Sequence, residues 1–365
     1  MHHQLLRCAL PLLLLGPTLW AGPQNDTVDW KPVSELTLRG QAWPDSSPPF
    51  GRLPLKAKEA VRDRVWSLGL QSAGLHVDFE SNASEIHARW SLTSETLAMK
   101  HMPASGVSGL DLYVRDGTVW RWLGLGQPTE QLGNVARLAK GLAPKWRTYR
   151  LYLPLYNGVS ALELSVPAES ELRAIPPSDT PRPLPIIFYG TSITQGACAS
   201  RPGMTHAAIL GRRLDRDVIN LGFSGNGRME AELGLLLAEI PAAAYVLDCL
   251  PNINAAQVAE RTQPFVEALR LARPKTPILL VEDRSYGYAF LEESAQQRNE
   301  SSRAALRAAH AALLEAGVRG LYYLPGANLL GSDGEGLVDG SHPSDLGFMR
   351  QADAFEPVLR LMLGN

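Results

Sequence analysis

The hydrophobic pattern of this chain changes period once, and that change limits the folds open to it. Before a proline-rich passage from Ala174 to Pro185, apolar residues recur at every second position. After it, short apolar runs alternate with longer amphipathic stretches. The first pattern belongs to antiparallel strands with one solvated face, the second to a parallel sheet covered by helices on both faces. The 365 residues suffice for two such units, each with its own core.

Residues 27–175 therefore read as a β-sandwich, jelly-roll-like domain. Val77-Asp78-Phe79-Glu80 and Glu85 to Trp90 alternate cleanly. Asp116-Gly117 and Asn157-Gly158 each sit between two alternating runs, the pairing expected of β-hairpins. Residues 176–184 form a proline-rich linker. From 185 to 365 the expectation is an α/β domain, with strands at 185–190, 217–222, 244–249, 277–282 and 318–324. Helices are predicted at 204–214, 228–240, 256–273, 291–316 and about 346–363.

The first residues have a different character. His2, His3 and Arg7 precede the apolar run Ala9 to Leu15, and Ala21-Gly22 follow. The run is short for a membrane span and suits a secretory signal peptide over residues 1–21, so the protein is expected to be exported, periplasmic or secreted. Cys8 would leave with it, so Cys198 and Cys249 would remain. No later segment is apolar for long enough to span a membrane. With 45% hydrophobic and 20% charged residues and a net charge of −2, the chain lacks the electrostatic footprint of a nucleic-acid binder.

Chemistry concentrates after the linker. Leu184, Ile186, Ile187 and Phe188 predict a buried strand, and Gly190 permits a sharp turn at its end. Ser192 then lies just past the carboxyl end of a strand, where open α/β sheets place their ligands. A serine hydroxyl needs a base to become a nucleophile. His342 can be that base, and Asp339, three residues earlier across Gly340, can hold the far imidazole nitrogen. A histidine base predicts activity that falls on the acid side of neutrality. Candidate oxyanion donors are the backbone N–H groups of Ser192 and Gly225 and the side-chain amide of Asn252.

These segments resemble, in order and spacing, the four blocks of the SGNH (GDSL-type) hydrolases: Gly190-Thr191-Ser192, Asn220-x-Gly222-x-x-Gly225, Asn252, and Asp339-x-x-His342. Thr191 stands where the family usually has Asp, and Leu250-Pro251-Asn252 where Gly-x-Asn is usual. Upstream, Gly109-Leu110-Asp111-Leu112-Tyr113 is similar to the G-x-D-L-Y signature of a β-sandwich domain that precedes one branch of these enzymes. The resemblance implies a flavodoxin-like three-layer fold of strand order 2-1-3-4-5, with neither metal nor organic cofactor. In that order the strands leading to Cys198 and Cys249 are neighbours, which raises a disulfide between the two as a hypothesis.

The expected activity is that of a serine esterase working through a Ser192 acyl-enzyme, removing O-acetyl groups from a carbohydrate or glycoconjugate. The alternatives are a lipase or thioesterase on longer acyl chains, and an inactive carbohydrate-binding protein. Glu282 and Arg201 are candidate substrate contacts. Solvation is expected for the Glu282-Asp283-Arg284 loop and for His310, and a structural role for His206. His87 and His101 have no partner at metal-ligand spacing, and no HExxH motif is present. The tryptophans of the first domain are assigned mostly to its core.

Overall fold

The computed structural model describes residues 29–46, 48–176 and 182–364. The proposed signal peptide with Cys8, and residues 177–181 of the linker, lie outside the described residues.

Two antiparallel sheets come first. One has the order β1 (Lys31–Pro32), β9 (Val159–Ser165), β4 (Ile86–Leu92), β7 (Asn134–Ala139). The other runs β10 (Leu172–Ala174), β3 (His76–Ser81), β8 (Arg147–Tyr152), β5 (Leu110–Asp116), β6 (Val119–Gly126), and β2 (Thr37–Arg39) also pairs with β3. Their facing side chains, among them Val77, Phe79, Trp90, Leu112, Tyr149 and Leu164, form one core. Trp90 is buried in it, whereas Trp122 and Trp146 are exposed.

The Asp116-Gly117 turn is a hairpin, with Asp116 opposite Val119 and Gly117 at φ 60°. Asn157-Gly158 is not. The strands around it, β8 and β9, belong to different sheets. Asn157 is buried and its side-chain amide holds other loops: Nδ2 donates to the Ser94 carbonyl (2.9 Å) and the Ser108 hydroxyl (3.0 Å), and Oδ1 accepts from Ser94 N (3.1 Å). These long-range bonds pin the chain where it crosses from one sheet to the other.

The first region is also not all β. Helices α1 (Ala57–Ala60) and α2 (Asp63–Gly69) interrupt it, and α3 (Ala104–Val107) is a single turn. Val61, Val65 and Leu68 lie at helical spacing and pack into the core of the second region.

That second region is a parallel sheet of order β12 (Val218–Gly222), β11 (Ile186–Gly190), β13 (Ala244–Asp248), β14 (Ile278–Val281), β15 (Leu321–Leu324). Numbered within the sheet, this is the expected 2-1-3-4-5. β11 to β14 are buried along their whole length, as a sheet covered on both faces requires. The connecting helices are α4 (Ser192–Gln195), α5 (His206–Arg213), α6 (Ala231–Glu239), α7 (Ala255–Ala272), α8 (Glu293–Glu315) and α9 (Asp345–Leu363). One face packs against α2, α6, α7 and α8, the other against α5 and α9. Side-chain caps start four of these helices: Thr191 on α4, Thr205 on α5, the Asn254–Gln257 capping box on α7 and Ser344 on α9. Among the described residues no helix is long and apolar enough to cross a membrane.

Candidate active site

The site forms where β11 and β12 end and the α9 entry loop folds over them. At Gly190 an added Cβ would lie 2.1 Å from Thr194 Oγ1 and 2.5 Å from the Asp248 carbonyl, so the turn into α4 closes only over glycine. Thr191 caps α4, accepting from Ile193 N. Ser192 is thus the first helical residue, 7% exposed. Gly196 ends the turn at φ 117°.

Ser192 Oγ lies 2.8 Å from His342 Nε2, and His342 Nδ1 lies 2.7 Å from Asp339 Oδ2. Asp339 Oδ1 accepts from the backbone N–H groups of Ser341 (3.1 Å) and His342 (2.8 Å). Gly340, at φ 81°, makes this tight loop possible. Burial pushes the Asp339 carboxyl up, but the His342 backbone N–H and imidazole outweigh it and hold the group below its ordinary value. With Nδ1–H donated to an ionised Asp339, Nε2 is left as an acceptor for the serine proton.

The glycine block is tied to the nucleophile turn. Asn220 Nδ2 donates to the Thr194 carbonyl (2.8 Å), and Gln195 Oε1 accepts from Ser224 N (3.0 Å). An added Cβ on Gly222 would meet Gln195 N at 2.2 Å, whereas the space beside Gly225 is open. Asn252 Oδ1 accepts from Gly227 N (3.2 Å), which fixes the amide and frees its NH₂ end as a donor.

Beneath this shell the structure adds contacts that sequence patterns did not reveal. Asp248 and Arg284 form a buried ion pair, and Thr194 donates to the same carboxylate at 3.3 Å. Arg52, from the first region, is buried and has no acidic partner among the described residues. It donates to the carbonyls of Asn220 (3.1 Å), Gly222 (2.7 Å), Leu68 (2.7 Å) and Gln71 (2.9 Å). Desolvation lowers its pKa to about 9. The only sequence signal for such a residue is an arginine between apolar neighbours, Gly51 and Leu53, and it does not reveal its acceptors.

Several expectations change. Glu282 is 3% exposed and accepts from Arg307, Tyr323 and Gly326 N, so it braces the loop after β14 and does not face substrate. Asp283 and Arg284 are equally buried, so this loop is not solvated; burial pushes Asp283 up to about 6. Arg201 donates to Asp111 (2.8 Å) and to Tyr113, and Asp111 also accepts from Gly203 N (2.8 Å). The Asp and Tyr of the G-x-D-L-Y signature therefore anchor the loop after the nucleophile. Cys198 and Cys249 are free thiols. Cys249 packs in the core beside Tyr189, its thiol 3.9 Å from that carbonyl, whereas Cys198 lies by Asp339. Burial and that carboxylate push the Cys198 thiol up to about 12. His206 is fully buried, stacked on Phe348, as a structural role requires. His310 is half-buried, its ring against that of Tyr323. His101, distant in sequence, lies with its ring 5.8 Å from that of His342.

Beside the Asp339–His342 turn lies a groove of about 480 Å³, lined in part by Tyr286, Phe290, Leu330 and Leu337. Tyr286 and Tyr288 stack in parallel at 5.5 Å, and Phe290 and Leu291 are exposed on the same loop.

Residues 184–360 match the model of the GDSL-like lipase/acylhydrolase family, and residues 28–172 match a model described as the N-terminus of SGNH-hydrolase-type esterases. Among solved structures, the chain is similar to one described as a GDSL-like lipase from Bacteroides ovatus, with 33% identity and a TM-score of 0.87 over 92% of this chain and 98% of that one. A salicylyl-acyltransferase from a tetracycline biosynthetic pathway shares 19% identity with a TM-score of 0.72, over 90% of this chain and 95% of that one. A family two carbohydrate esterase from Clostridium thermocellum, solved with cellohexaose, shares 16% with a TM-score of 0.56, over 80% and 93%. These last two show the shared fold. No curated protein sequence matches the chain.

Proposed function

The chain belongs to the GDSL-like lipase/acylhydrolase family, and from that premise we propose that it is an exported serine esterase that removes O-acetyl groups from carbohydrate. The observation that carries the reading is the continuous chain of contacts Ser192–His342–Asp339, at 2.8 and 2.7 Å. In this reading His342 takes the serine proton as Oγ attacks the acyl carbon. The N–H groups of Ser192 and Gly225 and the Asn252 amide receive the charge that develops on the carbonyl oxygen. His342 returns its proton to the leaving alcohol, and a water activated by the same imidazole releases acetate from Ser192.

Carbohydrate is favoured as the alcohol side by two things. The fold is shared with a carbohydrate esterase, and the loop beside the Asp339–His342 turn carries exposed aromatic rings on which sugar faces can lie. Export is supported by the basic, apolar and small-residue order of the first 22 residues.

Acetate release from a panel of acetylated glycans, set beside hydrolysis of p-nitrophenyl esters of increasing chain length, tests the reading. The wild type should prefer acetyl esters, and Ser192→Ala should lose activity by a factor on the order of 10⁴ or more. A preference for long acyl chains would turn the reading to a lipase. Sugar binding without turnover in either protein would turn it to a binding protein.

A further inference from the structure

Four side chains with metal-binding atoms converge around the catalytic imidazole: His101 from the first region, Cys198 from the loop after the nucleophile, and Asp339 and His342 from the α9 entry loop. One ligand atom from each lies within 4.8 Å of the other three. We propose that these residues form a binding site for a soft divalent cation of the zinc class, and that filling it switches the esterase off.

The donor set argues for the class of ion. A thiol and two imidazoles select zinc and its soft neighbours over magnesium or calcium, which take oxygen. In a tetrahedral zinc site the ligand atoms stand about 3.3–3.8 Å apart, so the cluster needs to contract by only about 1–1.5 Å. His101 is exposed on a turn and free to make that movement. Cys198 is held in place already. It is 6% exposed and sits at φ 72°, a left-handed backbone that non-glycine residues rarely adopt. The ester chemistry described above uses neither Cys198 nor His101.

Binding is a balanced exchange. The thiol gives its proton to solvent, and the thiolate, a ring nitrogen of each histidine and a carboxylate oxygen complete the coordination. Whichever nitrogen of His342 the ion takes, one hydrogen bond of the site is lost, to Ser192 or to Asp339, and the serine can no longer pass its proton. The inhibition rests on the esterase reading. The binding does not.

The experiment uses untagged protein, p-nitrophenyl acetate and added Zn²⁺, with Co²⁺ absorption as a second readout. Zinc at ~10 µM should suppress the wild-type rate, and a chelator should restore it. His101→Asn and Cys198→Ser, each compared with its own metal-free rate, should need at least about tenfold more zinc. Cobalt should give a sulfur-to-metal charge-transfer band in the wild type and in His101→Asn, but not in Cys198→Ser. Absence of the band in the wild type, or equal inhibition of all three proteins, overturns the site. The band without inhibition overturns the switch. The band in a protein that hydrolyses no ester keeps the site and removes the esterase reading instead.

Discussion

Asn252 is the residue whose assignment has the most specific kinetic consequence. Its Oδ1 is occupied by Gly227 N, so only its NH₂ end is available to a developing oxyanion. Asn252→Ala should lower kcat about 10²-fold, with KM for p-nitrophenyl acetate little changed, because the bond strengthens only in the transition state. An effect on KM alone would remove Asn252 from that role. Asp339→Asn should lower kcat by about 10⁴ through the wrong imidazole tautomer, with the fold kept, as near-ultraviolet circular dichroism would show. Ser192, Asp339 and His342 could be singled out in the sequence because each stands in a short turn that glycine makes possible, and such turns leave a local signature. That His101 and Cys198 lie beside them, and that Arg52 braces the glycine block, left no such signature, because these relations arise only when distant segments fold together. Glu282 and Arg201 misled for the complementary reason. A charged residue on the correct rim looks available until its partners, Arg307 and Asp111, are known.

At the scale of elements, short continuous apolar runs located the five parallel strands, and amphipathic stretches the longer helices between them, to within a few residues. Asn157-Gly158 failed because the hairpin signal measures turn propensity, and a buried asparagine with three hydrogen bonds to other loops uses the same chemistry for a crossing. The nucleophile turn gives a sharp prediction. Gly190→Ala places a methyl 2.1 Å from Thr194 Oγ1 and 2.5 Å from the Asp248 carbonyl. It should cost both stability, by about 1–3 kcal/mol in urea melts, and most of the turnover. Arg52→Met tests the strut under the glycine block. Four carbonyls lose their donor, so the urea midpoint should fall by the equivalent of about 3 kcal/mol or more. A smaller change would mean that water replaces the guanidinium.

The whole molecule is joined by charge as well as by packing. Asp217, before β12, stands within 4.0 Å of Arg39, His76 and Arg150 of the sandwich, and Arg150 holds Asp78 at 2.8 Å. Burial, with the Arg150 charge added, pushes His76 down to about 4, and burial with Arg284 lowers His206 well below the usual range. Both imidazoles are neutral in the folded protein and take up protons near pH 6.5 once unfolded. At these two sites the unfolded chain binds more protons between pH 6.5 and about 4; Asp283, pushed up to about 6, offsets part of this, and the two histidines outweigh the one carboxyl, so stability should fall as pH drops through that window. Urea midpoints measured at pH 7.5, 6 and 5 check this, and His76→Gln should flatten part of the slope.

Helix α2 precedes most of the sandwich in the chain yet lies on the parallel sheet, with Val65 and Leu68 packed beside Ile187, Tyr189 and Leu221. A ribosome making this protein releases that helix long before the strand carrying Tyr245, which shares the same core, emerges. At 5–20 residues per second the delay is roughly 10–35 s. Through that interval the nascent chain shows an oily helix with nothing to dock on. Cutting the gene at the linker would make the vacancy permanent, so the two halves should be recoverable only as one piece.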